Sequence, residues 1–308
     1  MVSYLCVDGG QTKTAVTLLE EDGTEIHAWR ASPLTTPWKS GAMDNLRGVV
    51  RSIAQELNHR LEAAAQDAPE AACYSLTGYL EGDDRIPSLI REEMDKSVPG
   101  LGGIHTIPDY VGNWAAATGG EPGVMVISGG GAVAYGRNAS GDSLRVGGWG
   151  HVLGDEGSGY WIGLEAIKSA LKSRAGMIPK TTLETHVMEV FETEDDRRIL
   201  AEVYSGSFSE ADVAALVPAV VSLADEGDEA AIEILDEAAR NISRLCSTAL
   251  DRLGMMPVYT SGGVFKAHGM VERLRKCLSD AGYSLEVRPK SVEPSVGIFL
   301  IARGGIVG

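Results

Sequence analysis

One pattern constrains this chain more than any other: a strand, a glycine turn and a second strand, met twice. Residues 3–8 (SYLCVD) read as a buried strand that enters a GGQT turn and returns as TAVTLLEED. After Asp22-Gly23, TEIHAWRA continues as a third strand. Much later GVMVISGGGAVAYGRNASGDSLRVGG runs strand, glycine turn, strand, polar turn, strand. The likeness is one of pattern, not of identity. It predicts two related domains, each opened by an antiparallel meander. The 308 residues agree, since a domain takes roughly 150.

Between and after the meanders the periodicity changes. Pro33 and Pro37 stiffen a loop over 32–41, and a helix is expected from Met43 to Ala65 with Leu46, Val49, Val50, Ile53 and Leu57 on one face. ACYSLTGYL reads as a strand running into a glycine loop, and IHTIPD as a short strand ending at Asp109. Glu229 to Leu253 repeats apolar residues at helical spacing, and Gly254 ends the run. PVYTSGG is again strand into glycine turn, and SVGIFLIARGG behind Pro294 reads as a final buried helix.

Charge narrows the partners. Lys and Arg number 27 against 43 Asp and Glu, a net of −16, which argues against a nucleic-acid groove or an anionic membrane surface. A phosphate ligand stays open, because backbone amides and Mg²⁺ carry one without bulk positive charge. Residues 186–240 hold fifteen acids against three bases and read as a solvated helical face. No apolar run approaches the ~20 residues that span a bilayer. The opening MVSYLCVDGG lacks a basic n-region, so no signal peptide is expected. Cys6, Cys73, Cys246 and Cys277 are scattered with no CxxC, which indicates neither a zinc site nor a disulfide framework and makes the cytoplasm the expected compartment.

Chemistry concentrates at the glycine clusters: Gly9-Gly10, Gly129-Gly130-Gly131, Gly147-Gly148 with Gly150, and Gly262-Gly263. Glycine lets backbone N–H groups turn toward an anion and lets a phosphate come close. Neither a GxxxxGK[ST] nor a strand-GxGxxG-helix is present, so the common P-loop and dinucleotide folds lose ground. Asp8 stands beside the first turn, where its carboxylate could hold Mg²⁺; the plainer alternative is a turn aspartate capping local amides. Thr12 could donate to a phosphate oxygen and Lys13 could screen its charge; the alternatives are a strand residue and a surface lysine. Asp109 is either a general base at a strand end or the N-cap of the YVGNWAAAT segment. GGWGHVLGDEGSGYW packs six glycines, two Trp, a His and an Asp-Glu pair into residues 147–161. Aromatic faces beside carboxylates suit a sugar ring and its hydroxyls; His151 reads better as structural.

VDGGQTKT, LTGYLEGDD, IPDYVGN, VISGGGAVAYG, VGGWGHVLGDEGSGYWIG, ALVPAVVSLADEGDEAAIEIL, TSGGVF and PSVGIFLIA follow one another in that order. Together they resemble the N-acetylglucosamine kinase and BadF/BadG-type ATPase family of the actin–hexokinase superfamily, from Tyr4 to Ala302. The resemblance implies an α/β fold of two ribonuclease-H-like, actin-like domains with ATP in the cleft between them. It implies an N-terminal lobe over 1–118, rejoined by a C-terminal helix over 294–308, and a C-terminal lobe over 119–293. Asp8 would lie near Mg²⁺. Gly9, Gly10, Gln11, Thr12 and Lys13 would form the first phosphate loop, and Ser128, Gly129, Gly130 and Gly131 the second. Gly262 and Gly263 would form the adenosine motif, with Ala214 also at the nucleotide. Asp109 would be the catalytic base. Thr36, Trp38, Gly78, Asp109, Gly148, Trp149, Gly150 and Asp155 would hold the sugar.

Two departures stand out. The second loop of such kinases commonly reads SGTGS; here Gly130 and Ala132 lack the hydroxyls, which implies weaker ATP binding. Thr36 replaces the Asn usually offered to the sugar, and a hydroxyl offers fewer hydrogen bonds than an amide. The resemblance implies an ATP- and Mg²⁺-dependent kinase of an amino sugar, N-acetylglucosamine at O6 first among them. Its expected partner is a small-molecule sugar, with no nucleic acid or membrane and with a homodimer left open. The rivals are a kinase of glucosamine, N-acetylmuramic acid or glucose, a BadF-type activator of a partner enzyme, and a sugar-responsive regulator without turnover.

Overall fold

The computed structural model describes residues 2–35, 37 and 39–304. Thr36, Trp38 and the last four residues of the expected C-terminal helix lie outside the described residues. The chain forms two compact units. The first takes the residues up to Glu121 and those from Lys290 onward, and the second is Pro122–Pro289.

The first unit opens with strands β1 (Ser3–Gly9), β2 (Thr14–Glu20) and β3 (Glu25–Ala31). Helix α1 (Ala42–Ala64), strand β4 (Ala71–Leu76), helix α2 (Arg85–Ser97), strand β5 (Gly103–Pro108) and helix α3 (Asp109–Thr118) follow. The sheet order is β3-β2-β1-β4-β5. The meander is antiparallel, and β4 and β5 extend it in parallel with β1. Parallel strands need helical crossovers and end up covered on both faces. That is why β1 and β4 are apolar and buried along almost their whole length. One face packs on α1 through Leu46, Val49, Val50, Ile53 and Leu57, and on α2 through Ile86, Ile90 and Met94.

The second unit repeats the plan. Strands β6 (Gly123–Ser128), β7 (Ala132–Arg137) and β8 (Ser143–Gly147) make an antiparallel meander. Helices α4 (Gly159–Arg174), α5 (Thr182–Val190), α6 (Asp196–Ser205), α7 (Glu210–Ala214), α8 (Val217–Asp225) and α9 (Glu229–Leu253) then precede β9 (Val258–Ser261). Helix α10 (Met270–Asp280) and β10 (Val287–Pro289) complete it. Its order, β8-β7-β6-β9-β10, has the same succession as the first sheet, so the two meanders belong to two copies of one topology. Gly254 ends α9 at φ +97°, where a side chain would be strained. The acidic stretch is more than a solvated face: Asp195 accepts from Arg197 N–H, Asp228 from Ala231 N–H, and Ser209 with Asp212 forms a capping box. These carboxylates satisfy helix-start donors that would otherwise be orphaned.

Helix α11 (Pro294–Ala302) returns the chain to the first unit. It packs on the sheet face opposite α1, where the Tyr4 and Phe299 rings meet edge to face at 5.6 Å. It crosses α3 so closely that a Cβ on Gly297 would come within 2.1 Å of the Gly112 carbonyl oxygen. No helix among the described residues is long and apolar enough to cross a membrane.

Candidate active site

The first unit gathers its polar residues at the carboxyl ends of its parallel strands. Register puts Gly9, Leu76 and Pro108 side by side, so the residues at the ends of β1, β4 and β5 share one edge. Open α/β sheets bind ligands at that edge. Asp8 is the penultimate residue of β1, Thr77 follows β4, and Asp109 follows β5. The expected strand therefore stops one residue short of Asp109, which is the first residue of α3. Asp109 is not the N-cap: Pro108 holds that position, with no side-chain cap.

Thr77 Oγ1 donates to Asp109 Oδ2 at 3.0 Å, and Thr77 N–H donates to the Gly9 carbonyl at 2.9 Å. Thr77 thus ties the base candidate to the first glycine turn. Burial is the main cause that raises the Asp109 pKa; the Thr77 hydroxyl and the Tyr110 N–H oppose it, and the charge of Asp8 adds to it. Burial likewise raises Asp8, against the pull of Lys290 and Lys13 and with a push from Glu293. Asn113 on α3 donates through Nδ2 to the Asp109 carbonyl at 3.0 Å. Its Oδ1 accepts from Lys290 Nζ at 2.7 Å.

The first glycine turn closes when Gly10 N–H donates to the Lys13 carbonyl at 3.0 Å, leaving Gln11, Thr12 and Lys13 exposed. Gly9 is small because of packing: a Cβ there would lie 2.5 Å from Leu34 Cδ1 and 2.8 Å from Leu76 Cδ2. Gly78, just after Thr77, has φ +77°.

The second unit gathers another set. Ile127 of β6 pairs with Ser261 of β9, so the turns at Ser128–Ala132 and Gly262-Gly263 leave adjacent parallel strands. They touch: a Cβ on Gly262 would fall 2.0 Å from the Ser128 carbonyl oxygen. Gly159 N–H, at the start of α4, donates to the Gly129 carbonyl at 2.7 Å, and a Cβ on Gly159 would lie 3.5 Å from that of Ala214. Residues from four distant stretches of sequence, Ser128-Gly129, Gly159, Ala214 and Gly262-Gly263, thus come together.

The glycine-rich 147–159 segment wraps the same turn. Gly148 N–H donates to the Ala132 carbonyl at 3.0 Å, and Ser128 Oγ to the Gly157 carbonyl at 2.8 Å. Asp155 is buried at φ +64°, a backbone strained for a residue with a side chain. Its carboxylate lies against Gly131, where a Cβ would meet Oδ2 at 2.7 Å. Burial raises its pKa, opposed by the Ala132 and Gly150 N–H groups. Trp149 is 62% exposed, so its ring is open to a ligand. His151 is a surface group, its ring tilted against that of Tyr160 with centroids 4.7 Å apart and its Nδ1 3.7 Å from Glu210 Oε1.

Sequence comparison decides the family. The BadF/BadG/BcrA/BcrD ATPase family matches residues 5–302. The chain belongs to this family. It is 29% identical over 302 residues to an N-acetylmuramic acid/N-acetylglucosamine kinase of Clostridium acetobutylicum, covering 96% of this chain and 97% of that one. It is 27% identical over 320 residues to an N-acetyl-D-glucosamine kinase of Dictyostelium discoideum, covering 97% of both. The solved structure of a candidate N-acetylglucosamine kinase from Chromobacterium violaceum aligns with a TM-score of 0.71 at 23% identity, over 98% of this chain and 99% of that one. That likeness carries the fold: two actin-like α/β units.

Sequence reasoning missed three residues of the first unit. Thr77 and Asn113 stood inside quoted motifs without a role, and Lys290 stood in none. The signal for Lys290 would have been a lone lysine between the last strand and the last helix, too weak to single out.

Proposed function

We propose that this member of the family transfers the γ-phosphoryl group of ATP to the O6 hydroxyl of an amino sugar, N-acetylglucosamine foremost. The observation that carries the reading is Asp109: a half-buried carboxylate at the sheet's carboxyl edge, held by Thr77 and raised in pKa. Family membership and amino-sugar kinase relatives support it.

In this reading Asp109 accepts the hydroxyl proton as the sugar oxygen attacks. Its raised pKa makes it a stronger base than an exposed aspartate, while Thr77 keeps it oriented. Backbone N–H groups of the Gly9–Lys13 and Ser128–Ala132 turns hold phosphate oxygens, and the Gly262-Gly263 turn with Ala214 holds the nucleoside. Gly78, the exposed Trp149 with Gly148 and Gly150, and Asp155 serve the sugar; Thr36 and Trp38 are assigned there too, on the resemblance alone. Among the described residues no group of three or more His, Cys, Asp or Glu is disposed to hold a metal ion. Mg²⁺ arriving on ATP asks for less: one or two carboxylates and water, with phosphates completing the shell. Asp8, half-buried beside the first turn, fits that need. When bound, Mg²⁺ would neutralise charge on the phosphates. A cytoplasmic setting suits such a reaction. A BadF-type activator would need cysteines free to ligate iron at an interface; Cys6, Cys73 and Cys246 are buried and Cys277 is half-buried.

The test is Asp109→Asn in a coupled ADP-release assay over a panel of sugars. Asn keeps the size and removes the proton acceptor, so kcat should fall by about 10²–10⁴-fold, with sugar affinity by calorimetry little changed. The wild-type acid limb of kcat/KM should lie above the ordinary aspartate value, because activity is lost as pH falls through a raised pKa. Near wild-type kcat in the Asn variant sinks Asp109 as the base.

A further inference from the structure

Lys290 is an unusual lysine. It is half-buried, although an ammonium is costly to take out of water. One of its three N–H donors is given to Asn113 Oδ1 at 2.7 Å. Asn113 is itself fixed, because its Nδ2 donates to the Asp109 carbonyl at 3.0 Å. The relay leaves the amide one orientation, oxygen toward the lysine and nitrogen toward the helix start. Lys290 Nζ is therefore two hydrogen bonds from the main chain of Asp109, across 177 residues of sequence from Asn113. Burial lowers its pKa below the ordinary lysine value, and the carboxylates of Glu293 and Asp8 oppose that shift. The exposed Lys13 is the other cation whose charge reaches Asp8.

We propose that Lys290 is a phosphate-binding residue of the first unit, its ammonium taking an oxygen of the γ-phosphoryl group being transferred. This rests on the kinase reading above and adds to it a residue that no motif marks. In the step itself the sugar O6 forms a bond to the γ-phosphorus, and the bond from that phosphorus to the β–γ bridging oxygen breaks. The electron pair leaves with ADP, and the hydroxyl proton goes to Asp109. No oxidant or further reactant enters. Negative charge spreads over the oxygens of the moving group, and a fixed donor aimed there acts with little reorganisation. Lys290 meets the description: its position is set by Asn113, it is two hydrogen bonds from the Asp109 main chain and within electrostatic reach of Asp8, and an ammonium has three donors of which Asn113 takes one. The tether also explains why a lysine is kept half-buried at the point where the chain leaves the second unit.

The experiment uses the full chain with Lys290→Gln, Lys290→Met and Lys290→Arg. Gln keeps an N–H donor for Asn113 and loses the charge; Arg keeps the charge. Calorimetry with the non-hydrolysable triphosphate AMPPNP and with AMP comes first, because it needs no turnover. The expected result is that Gln and Met weaken AMPPNP binding by about tenfold or more, as loss of one charge-assisted hydrogen bond implies, and leave AMP binding within twofold. Arg should recover part of the loss. In the assay kcat should fall by about 10²–10³-fold for Gln, the size seen when one transition-state donor is removed, with the KM for sugar little changed. Equal AMPPNP affinity in wild type and Gln overturns the proposal. So does a parallel loss of AMP, AMPPNP and sugar binding with a lowered melting temperature, which marks a structural strut. If Met does not fold, Gln and Arg still decide. Wild-type protein that binds AMPPNP more tightly than AMP but phosphorylates no sugar removes the kinase reading and leaves the Lys290 contact standing or falling on the binding data.

Discussion

At the scale of single residues the glycines divide by cause. Gly262 needs both a left-handed backbone and the absence of a Cβ, which would strike the Ser128 carbonyl. Gly131 has no such backbone; it is small because the Asp155 carboxylate lies where its Cβ would go. Gly130 has nothing within 4 Å of a notional Cβ. The sequence pattern shows three equal glycines, and only the surroundings rank them. A prediction follows from the ranking. Gly130→Thr should be accepted by the fold and should lower the KM for ATP about two- to tenfold, as one new hydrogen bond worth ~0.5–1.5 kcal/mol would. Gly131→Ala should raise that KM and depress the melting temperature. A serine at Ala132 is a poorer choice, since that position is only 2% exposed and a buried hydroxyl needs a partner. Steady-state kinetics and melts on the two single variants check this; equal behaviour of the two would remove the steric account of the turn.

At the scale of elements, legibility followed periodicity. The strands of both meanders, α1, α9 and α11 were readable because each is long or bounded by glycine or proline. α2 was not. Its sequence RIPSLIREEMDKS sets Pro87 near the start and an acid inside the apolar stripe of Ile86, Leu89, Ile90 and Met94. That acid, Glu93, explains the mismatch. It is 1% exposed and bridges to Arg47 and Arg51 on α1 and to Lys96 one turn on. Hydrogen bonds from Arg51 and Lys96 lead the causes that pull its pKa from 4.5 to about 2. A depressed carboxylate stabilises the fold above its unfolded pKa and loses that contribution as pH falls through the folded value. The protein should therefore lose stability between about pH 4.5 and about pH 2 in part through Glu93. Glu93→Gln should melt lower at neutral pH and show a flatter fall over that window. An unchanged slope in the variant would mean that the three cations stabilise nothing through this residue. Thr77, Asn113 and Lys290, which are hydrogen-bonded around Asp109, escaped for a different reason. Their partners are set by strand register and by a helix crossing, neither of which leaves a local trace.

At the scale of the whole molecule, duplication and asymmetry coexist. Both sheets have the same strand order and directions, yet one unit is continuous in sequence and the other is completed only by the segment after Pro289. The second unit has its own core, from Val124 and Val126 on β6 to Ile242 and Cys246 on α9 and Leu274 on α10. The first depends on α11, which buries Ile298 and Ile301, covers the Tyr4 side of the sheet and meets α3 at the Gly112–Gly297 contact. Without α11, the aromatic ring of Tyr4 and the inner side of α3 would face water, at a cost of about 25 cal/mol for each Å² of apolar surface left exposed. Small domains have only about 5–15 kcal/mol of net stability to lose. A fragment spanning residues 122–289 should thus fold alone, with one cooperative thermal transition and helical circular dichroism. A fragment spanning 1–121 should not, and adding a peptide of residues 290–308 in trans should restore structure to it. The decisive measurement is the near-ultraviolet signal of the first fragment, whose Trp114 is buried in the intact protein. A fixed aromatic signal without the peptide would show that α11 is dispensable for the first unit. The reverse failure, an unfolded 122–289 fragment, would show that its core needs the neighbouring unit. Lys290 lies at the junction these fragments cut, so the complemented first unit also tests the tether: Lys290→Met in the peptide should weaken its association by removing the hydrogen bond to Asn113.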